Sequence, residues 1–290
     1  MKLSVIIPAY HEPYLVNTLK ALIAATRLGS DLEILVVLDG PWYTGDDLSK
    51  IDPRIQVIQL NENIGMRGAI NTGLSVAQGE CIMKVDAHCV FELESFTERM
   101  LDGLQDENWL VVPRQYALNV DGWQIGRIKN PRDYHYFKFP GPDGIMSIHH
   151  YKPEQIPELI VDTLIMQGSC WCAVKEVFMR KVGKLDDRED TYGSFAAEQL
   201  EIGLKYWLSG GAIKTLKGTW YGHLKKQSVR YRADPFARKK DFRHNWYWSA
   251  KHWLRNEEPG MIYPLSWLLE KFWPVPTWPE DRRLWEVFNE

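Results

Sequence analysis

Asp86-Ala87-His88 places a carboxylate and an imidazole two residues apart, just after the apolar run Glu80 to Val85. In an extended chain such residues point to the same side, so the pair can offer one oxygen and one nitrogen to a single ion. That donor set suits Mn²⁺ and tolerates Mg²⁺, and a divalent cation held there would neutralise a diphosphate leaving group as a Lewis acid. Cys170 and Cys172 share the same spacing, but no second cysteine pair completes a tetrahedral site, and four cysteines make no disulfide framework in 290 residues. His149-His150 is a further pair of candidate ligands, in a segment read as loop. G-x-G-x-x-G does not follow the first strand and G-x-x-x-x-G-K-[ST] is missing, so the common dinucleotide and P-loop fingerprints are absent.

The elements that must position Asp86 and His88 are legible around them. Lys2 to Pro8, Leu32 to Leu38, Arg54 to Leu60 and Glu80 to Val85 are short runs rich in Val, Ile and Leu, each closed by a polar or turn residue. They read as buried parallel strands. Helical spacing lies between them, with Leu15, Leu19, Leu22 and Ile23 on one face and Ala69, Leu74 and Ala77 on another. The alternation implies an α/β fold with a mostly parallel central sheet. Ligands of such sheets sit beyond the carboxyl ends of the strands. Those positions hold Tyr10, His11 and Glu12, then Asp39 and Gly40, then Asn61 to Gly65, then Asp86 to His88.

The run SVIIPAYHE, then LVVLDG, then N-x-G-x-x-x-A-x-N-x-G at Asn63 to Gly73, then KVDAH, resembles the nucleotide-sugar half of glycosyltransferase family 2 and its GT-A fold relatives. Further on, DAHC at Asp86 to Cys89, AEQLEIGLKYWLSGG at Ala197 to Gly211 and YGHLKK at Tyr221 to Lys226 are similar to the polypeptide N-acetylgalactosaminyltransferases of family 27. The ordered motifs span roughly residues 3 to 255. The resemblance implies a GT-A (Rossmann-like) fold, a UDP-sugar donor and a Mn²⁺ or Mg²⁺ ion. It assigns Asp86, His88 and His223 to the metal, and Tyr10, Glu12 and Asp39 to the nucleotide. Glu198 would contact the transferred sugar, and Lys226 stands where the family has an Arg on the diphosphate. Glu201 and Lys205 form an i, i+4 pair on the same helix, which reads as a surface salt bridge.

Two departures bear on mechanism. Inverting family 2 enzymes carry an Asp after the Glu of this acidic motif, where it acts as general base. Here the position is Gln199, and an amide has no useful basicity. Retention of configuration is therefore expected. The A-R-N of family 2 appears as Ala69-Ile70-Asn71, and Arg67, nearly one helical turn earlier, is the candidate to replace the lost Arg at the donor.

Composition sets the outer bounds. With 35 Lys/Arg, 38 Asp/Glu and a net charge of −3, the chain is an ordinary globular protein with an unusual 13 Trp. A GT-A domain is expected over 1–222, its nucleotide-sugar half at about 1–110 and its acceptor half at about 111–222, with a basic, Trp-rich extension over 223–290. Ten Lys/Arg against two Asp between His223 and Arg255 could grip a diphosphate or a polyanionic acceptor. Trp267, Trp273, Trp278 and Trp285 lie among five prolines, which suggests an extended tail wrapped on the body or a docking surface. Residues 121 to 160 read as a long loop over the site. No apolar stretch approaches the roughly 18 residues of a spanning helix, and the amino terminus is polar too early for a signal peptide. A cytoplasmic location follows, the host cytoplasm for a phage-encoded chain, without integral membrane association. The resemblance implies a protein Ser/Thr hydroxyl as the acceptor, while the missing lectin-like segment and the basic strip leave room for a hydroxymethylated base in DNA. The rival readings are an inverting family 2 transferase acting on a glycan, or a nonenzymatic nucleotide-sugar or nucleic-acid binding protein.

Overall fold

The computed structural model describes residues 2–125, 131–141, 144–151, 156–225 and 242–285. Its first strand, β1 (Leu3–Ala9), is buried along nearly its whole length, as a strand covered on both faces must be. Successive side chains go to opposite faces. Val5 and Ile7 pack with Leu15, Leu19 and Leu22, which form one stripe of α1 (Leu15–Ala24), while Ile6 joins Ile70 and Leu74 on the other side. The chain continues through β2 (Leu32–Leu38), β3 (Ile55–Gln59), α2 (Gly65–Val76) and β4 (Cys81–Val85). A Cβ at Gly73 would run into Ile6, so glycine lets α2 lie close against β1.

Next come β5 (Cys89–Phe91), α3 (Phe96–Asp102), β6 (Trp109–Asn119), β7 (Gln124–Ile125), β8 (Tyr134–Phe137) and β9 (Ile148–Tyr151). They are followed by β10 (Ile160–Asp162), β11 (Cys170–Val174), α4 (Lys175–Lys181), α5 (Glu198–Leu208) and β12 (Ala212–His223). Two helices close the described chain, α6 (Arg243–Leu254) and α7 (Leu265–Lys271). The main sheet runs β10-β12-β6-β11-β4-β1-β2-β3. Strands β3, β2, β1 and β4 are parallel, and β11 enters antiparallel between β4 and β6. β12 runs parallel to β6 and antiparallel to the short β5.

The four strands expected from the sequence lie within a residue or so of their observed bounds. Residues 121 to 160 differ from expectation. Where a long loop was expected, their described residues contribute the two residues of β7 to the main sheet and form the separate two-stranded β8–β9 sheet. Tyr134-His135-Tyr136-Phe137 has no polar alternation to announce a strand, because its outward neighbours are aromatic too.

Trp253, Trp278 and Trp285 are buried in the same cluster as Trp171, Tyr206 and Leu268. The Trp278 Nε1–H donates to the Phe137 carbonyl at 2.9 Å, so the tail is fastened to β8 by a polar contact as well as by its ring. The tail also contains α7, which starts directly after Pro264, where the missing proline N–H costs nothing. Among the described residues no helix is long and apolar enough to cross a membrane.

Trp278→Ala should lower the unfolding free energy by roughly 3–5 kcal/mol, the usual result of emptying a buried Trp site. A denaturant midpoint unchanged from wild type would show the tail to be undocked. His135, 4% exposed, has its pKa pushed down to about 3 by burial and, less, by His150 and Arg132. Between about pH 6.5 and 3 the unfolded chain binds a proton there that the native state refuses, so this group erodes stability as pH falls through that window. Melts of His135→Leu across it should show a flatter pH dependence than wild type.

Candidate active site

The carboxyl ends of β1, β2 and β4 meet on one rim, with Tyr10 to Glu12, Asp39 and Asp86. Two strands bring the remaining pieces. β5 returns directly after Asp86-Ala87-His88 and pairs antiparallel with the end of β12, where His223 sits opposite Cys89. The Leu224 amide then donates to the His88 carbonyl at 3.2 Å. A separation of 135 residues along the chain thus becomes ring contact, with the His88 and His223 centroids 4.7 Å apart.

Asp86, His88 and His223 are the group that can hold a metal ion among the described residues, with their donor atoms within 4.8 Å of one another. Asp86 Oδ2 lies 3.1 Å from His223 Nε2 and 3.9 Å from His88 Nε2. The side chains keep 23%, 12% and 18% exposure, enough for a ligand to reach them from solvent. Behind them, Glu12 Oε2 is 2.9 Å from His88 Nδ1. A carboxylate at Nδ1 stabilises the Nδ1–H tautomer and turns the Nε2 lone pair toward the cluster, the arrangement found behind metal-binding histidines. Burial would raise the Asp86 pKa, but Lys84, His223 and His88 outweigh it and hold the carboxyl well below the usual range. Burial lowers the pKa of His223 against the opposing pull of Asp86, keeping the imidazole neutral and able to ligate. His149, His150 and the thiols of Cys170 and Cys172 are not part of the group, and burial pushes both thiols well above their ordinary pKa.

Under the rim lies a cation that sequence reasoning missed. Lys84, 1% exposed, reaches Asp86 Oδ1 at 2.6 Å, the Gly168 carbonyl at 2.7 Å and Glu198 Oε1 at 3.2 Å. The signal was a charged residue inside an otherwise apolar strand, two before Asp86 and therefore on its face. Glu198 opens α5 after Ala197, whose left-handed φ of +52° is uncommon for a residue with a Cβ. Its carboxylate occupies the space that a Cβ at Gly168 would fill. Burial raises the Glu198 pKa over the opposing effect of Lys84. Gln199 follows it, half-buried, in the first turn of α5.

Asp39 is 3% exposed, and its carboxylate accepts the amides of Ile64 at 2.7 Å and Gly65 at 3.0 Å and the Asn63 side chain at 2.8 Å. Burial nonetheless raises its pKa. It anchors the start of α2, where Gly65 takes φ +87°. Tyr10 stands edge-on to His11 at 4.5 Å, and His11 faces Trp42 at 5.6 Å. Trp42, absent from the sequence candidates, completes an aromatic group with Tyr10 and His11 beside the end of β1.

Two expectations need correction. Arg67 is fully buried rather than open to a donor, with Nε on the Asp186 carbonyl at 3.0 Å and Nη2 on Glu201. Its guanidinium also covers the Tyr192 ring at 4.4 Å. The Glu201–Lys205 pair forms, at 2.8 Å, but Glu201 is fully buried rather than superficial. The reason is the same for both: α5 packs its glutamate face inward, and a buried carboxylate requires the cation that α2 supplies. Lys226 lies outside the described residues, as do Arg230, Arg232, Arg238, Lys239 and Lys240 of the basic strip.

The family model described as glycosyl transferase family 2 matches residues 4–171. The chain belongs to glycosyl transferase family 2. The chain is 23% identical over 246 residues to the human polypeptide N-acetylgalactosaminyltransferase 10, covering 79% of this chain and 38% of that protein. It is 22% identical over 201 residues to polypeptide N-acetylgalactosaminyltransferase 5 of Caenorhabditis elegans, covering 64% of this chain and 29% of the relative. The chain therefore spans well under half the length of these relatives. Among solved structures, GalNAc-T7 with UDP, GalNAc and Mn²⁺ superposes with a TM-score of 0.66 at 16% identity, covering 94% of this chain and 49% of that one. S. aureus TarS in complex with UDP-GlcNAc gives 0.53 at 17% identity, covering 78% and 59%. The fold is that of the GT-A glycosyltransferases.

Arg67→Met should cost roughly 1.5–3 kcal/mol of stability, the scale of losing a charged hydrogen bond while Glu201 keeps Lys205, and Arg67→Met with Glu201→Leu should recover part of it. Donor KM should stay within about twofold of wild type in a single variant that still folds. A large rise in KM at unchanged stability would return Arg67 to the donor site.

Proposed function

We propose that this chain is a metal-dependent, retaining transferase that moves a sugar from a UDP-sugar to an acceptor hydroxyl. The observation that carries the reading is the meeting of Asp86, His88 and His223 with Glu12 behind His88, because this builds both a ligand set and its orienting partner. Bound there, Mn²⁺ or Mg²⁺ supplies Lewis-acid neutralisation of the diphosphate charge. Asp86, His88 and His223 hold it, and Glu12 fixes the His88 ring. Tyr10, His11 and Trp42 offer ring faces to the uracil, beside the Asp39-anchored turn. Glu198, oriented by Lys84, meets hydroxyls of the donor sugar.

Gln199 stands where an inverting enzyme needs a carboxylate, and an amide cannot accept the acceptor proton. In the retaining reading the bond from the anomeric carbon to the diphosphate oxygen breaks while the acceptor oxygen bonds to that carbon on the same face. The departing diphosphate oxygen takes the acceptor proton. The relatives, named polypeptide N-acetylgalactosaminyltransferases, support a polypeptide as the acceptor. A modified DNA base would require the basic strip, and steep loss of acceptor binding with salt would reveal it. The described residues after His223 belong to the same catalytic body in this reading, supported by the burial of Trp253, Trp278 and Trp285.

Asp86→Asn should lower turnover of UDP-sugar by about 100-fold or more, the scale of losing one electrostatic stabiliser at roughly 3 kcal/mol, while the melting curve stays cooperative. Full activity of that variant without added metal would remove this site. Proton NMR of the glycosylated product should show the donor's anomeric configuration, and an inverted linkage would refute the retaining mechanism.

A further inference from the structure

Lys84 is the charged residue of an otherwise apolar β4, and all three of its N–H donors have partners in Asp86 Oδ1, Gly168 O and Glu198 Oε1. The ammonium is fixed in direction and screened from solvent. Asp86 consequently serves two sides: Oδ1 meets Lys84, while Oδ2 faces His88 and His223.

We propose that Lys84 is a positioning residue that makes cation binding at Asp86 conditional on the donor's diphosphate. The inference rests on the metal-dependent reading above. A divalent cation approaching Oδ2 meets a fixed positive charge already bound to the other oxygen of the same carboxylate. Because the ammonium is buried, salt and water screen that repulsion weakly. The negative charge of a diphosphate reverses the balance, since it attracts both the cation and the ammonium. Metal and nucleotide therefore strengthen each other's binding by one shared factor, as linkage requires. Glu198 tempers the ammonium from the other side, so the two neighbours act in opposite directions on the same site.

The test is Mn²⁺ binding to the full chain, followed by electron paramagnetic resonance of the free ion, with and without UDP and without any turnover. Wild type should bind Mn²⁺ at least tenfold more tightly with UDP than without. Lys84→Gln and Lys84→Met should tighten binding of Mn²⁺ alone by about tenfold and shrink the effect of UDP. Glu198→Gln should weaken binding of Mn²⁺ alone, because Lys84 then acts on Asp86 unopposed. A merely structural role would weaken binding in all three variants. The proposal is overturned if the Lys84 variants that keep a cooperative melt bind Mn²⁺ no more tightly than wild type, or if Glu198→Gln shifts affinity in the same direction as they do. If wild type and Asp86→Asn bind Mn²⁺ equally poorly even with UDP, the metal reading itself fails and the role of Lys84 falls with it.

Discussion

Register between β12 and β5 decides whether these residues form a site at all. His223 sits opposite Cys89, and that pairing sets it against His88 on the rim. Side chains alternate along a strand, so a slip of one residue would send the imidazole of residue 223 to the far face. Earlier in β12 the pairing with β6 jumps between Leu216 and Trp220. The irregularity resets the phase of the strand before it reaches the rim. Tyr221, two residues before His223, is buried with its hydroxyl 2.6 Å from Ser169, and the Ser169 carbonyl receives the Asp86 amide at 2.9 Å. The ends of β4, β11 and β12 are thereby cross-linked just beneath Asp86, His88 and His223.

A second constraint is electrostatic. Glu198 and Glu201 stand three residues apart on α5, on one helical face, and each takes a cation from a different element: Lys84 from β4 and Arg67 from α2. Burying such charges costs desolvation, and their net contribution to stability is small compared with the cost of breaking either pair. Their effect is on position. Helix α5 cannot slide along the sheet without stranding a buried carboxylate, so the acidic side chain at the rim and the one beneath it are placed together. The motif read from the sequence as a sugar-contacting glutamate with a surface companion is a two-point attachment.

The parallel strands were legible because they are buried on both faces and read as apolar runs bounded by turn residues. Asp86 and His88 were legible for a local reason, being two residues apart at a strand end. The Arg67–Glu201 pair was not legible because spacing along a helix gives the direction of a side chain relative to its own axis, and says nothing of a buried glutamate 134 residues later. Lys84 was passed over because a single lysine in a strand carries no motif, and its partners, Gly168 and Glu198, are distant in sequence. The β8–β9 pair was hidden by aromatic residues on both faces, which abolish the period of two that marks a half-buried strand.

The amino-acid order was enough to point to the parallel α/β half and the family, and to bring forward Asp86, His88 and His223 as candidate ligands. Periodicity and short spacings act between near neighbours, and near neighbours are what a linear chain displays. Only the folded chain decided that His223 meets His88, that Glu12 stands behind that ring, and that Lys84 shares Asp86 with the ligand cluster. Each of these depends on strand register or on pairing of buried charges across long stretches of chain, and such energies exist only once the sheet has closed.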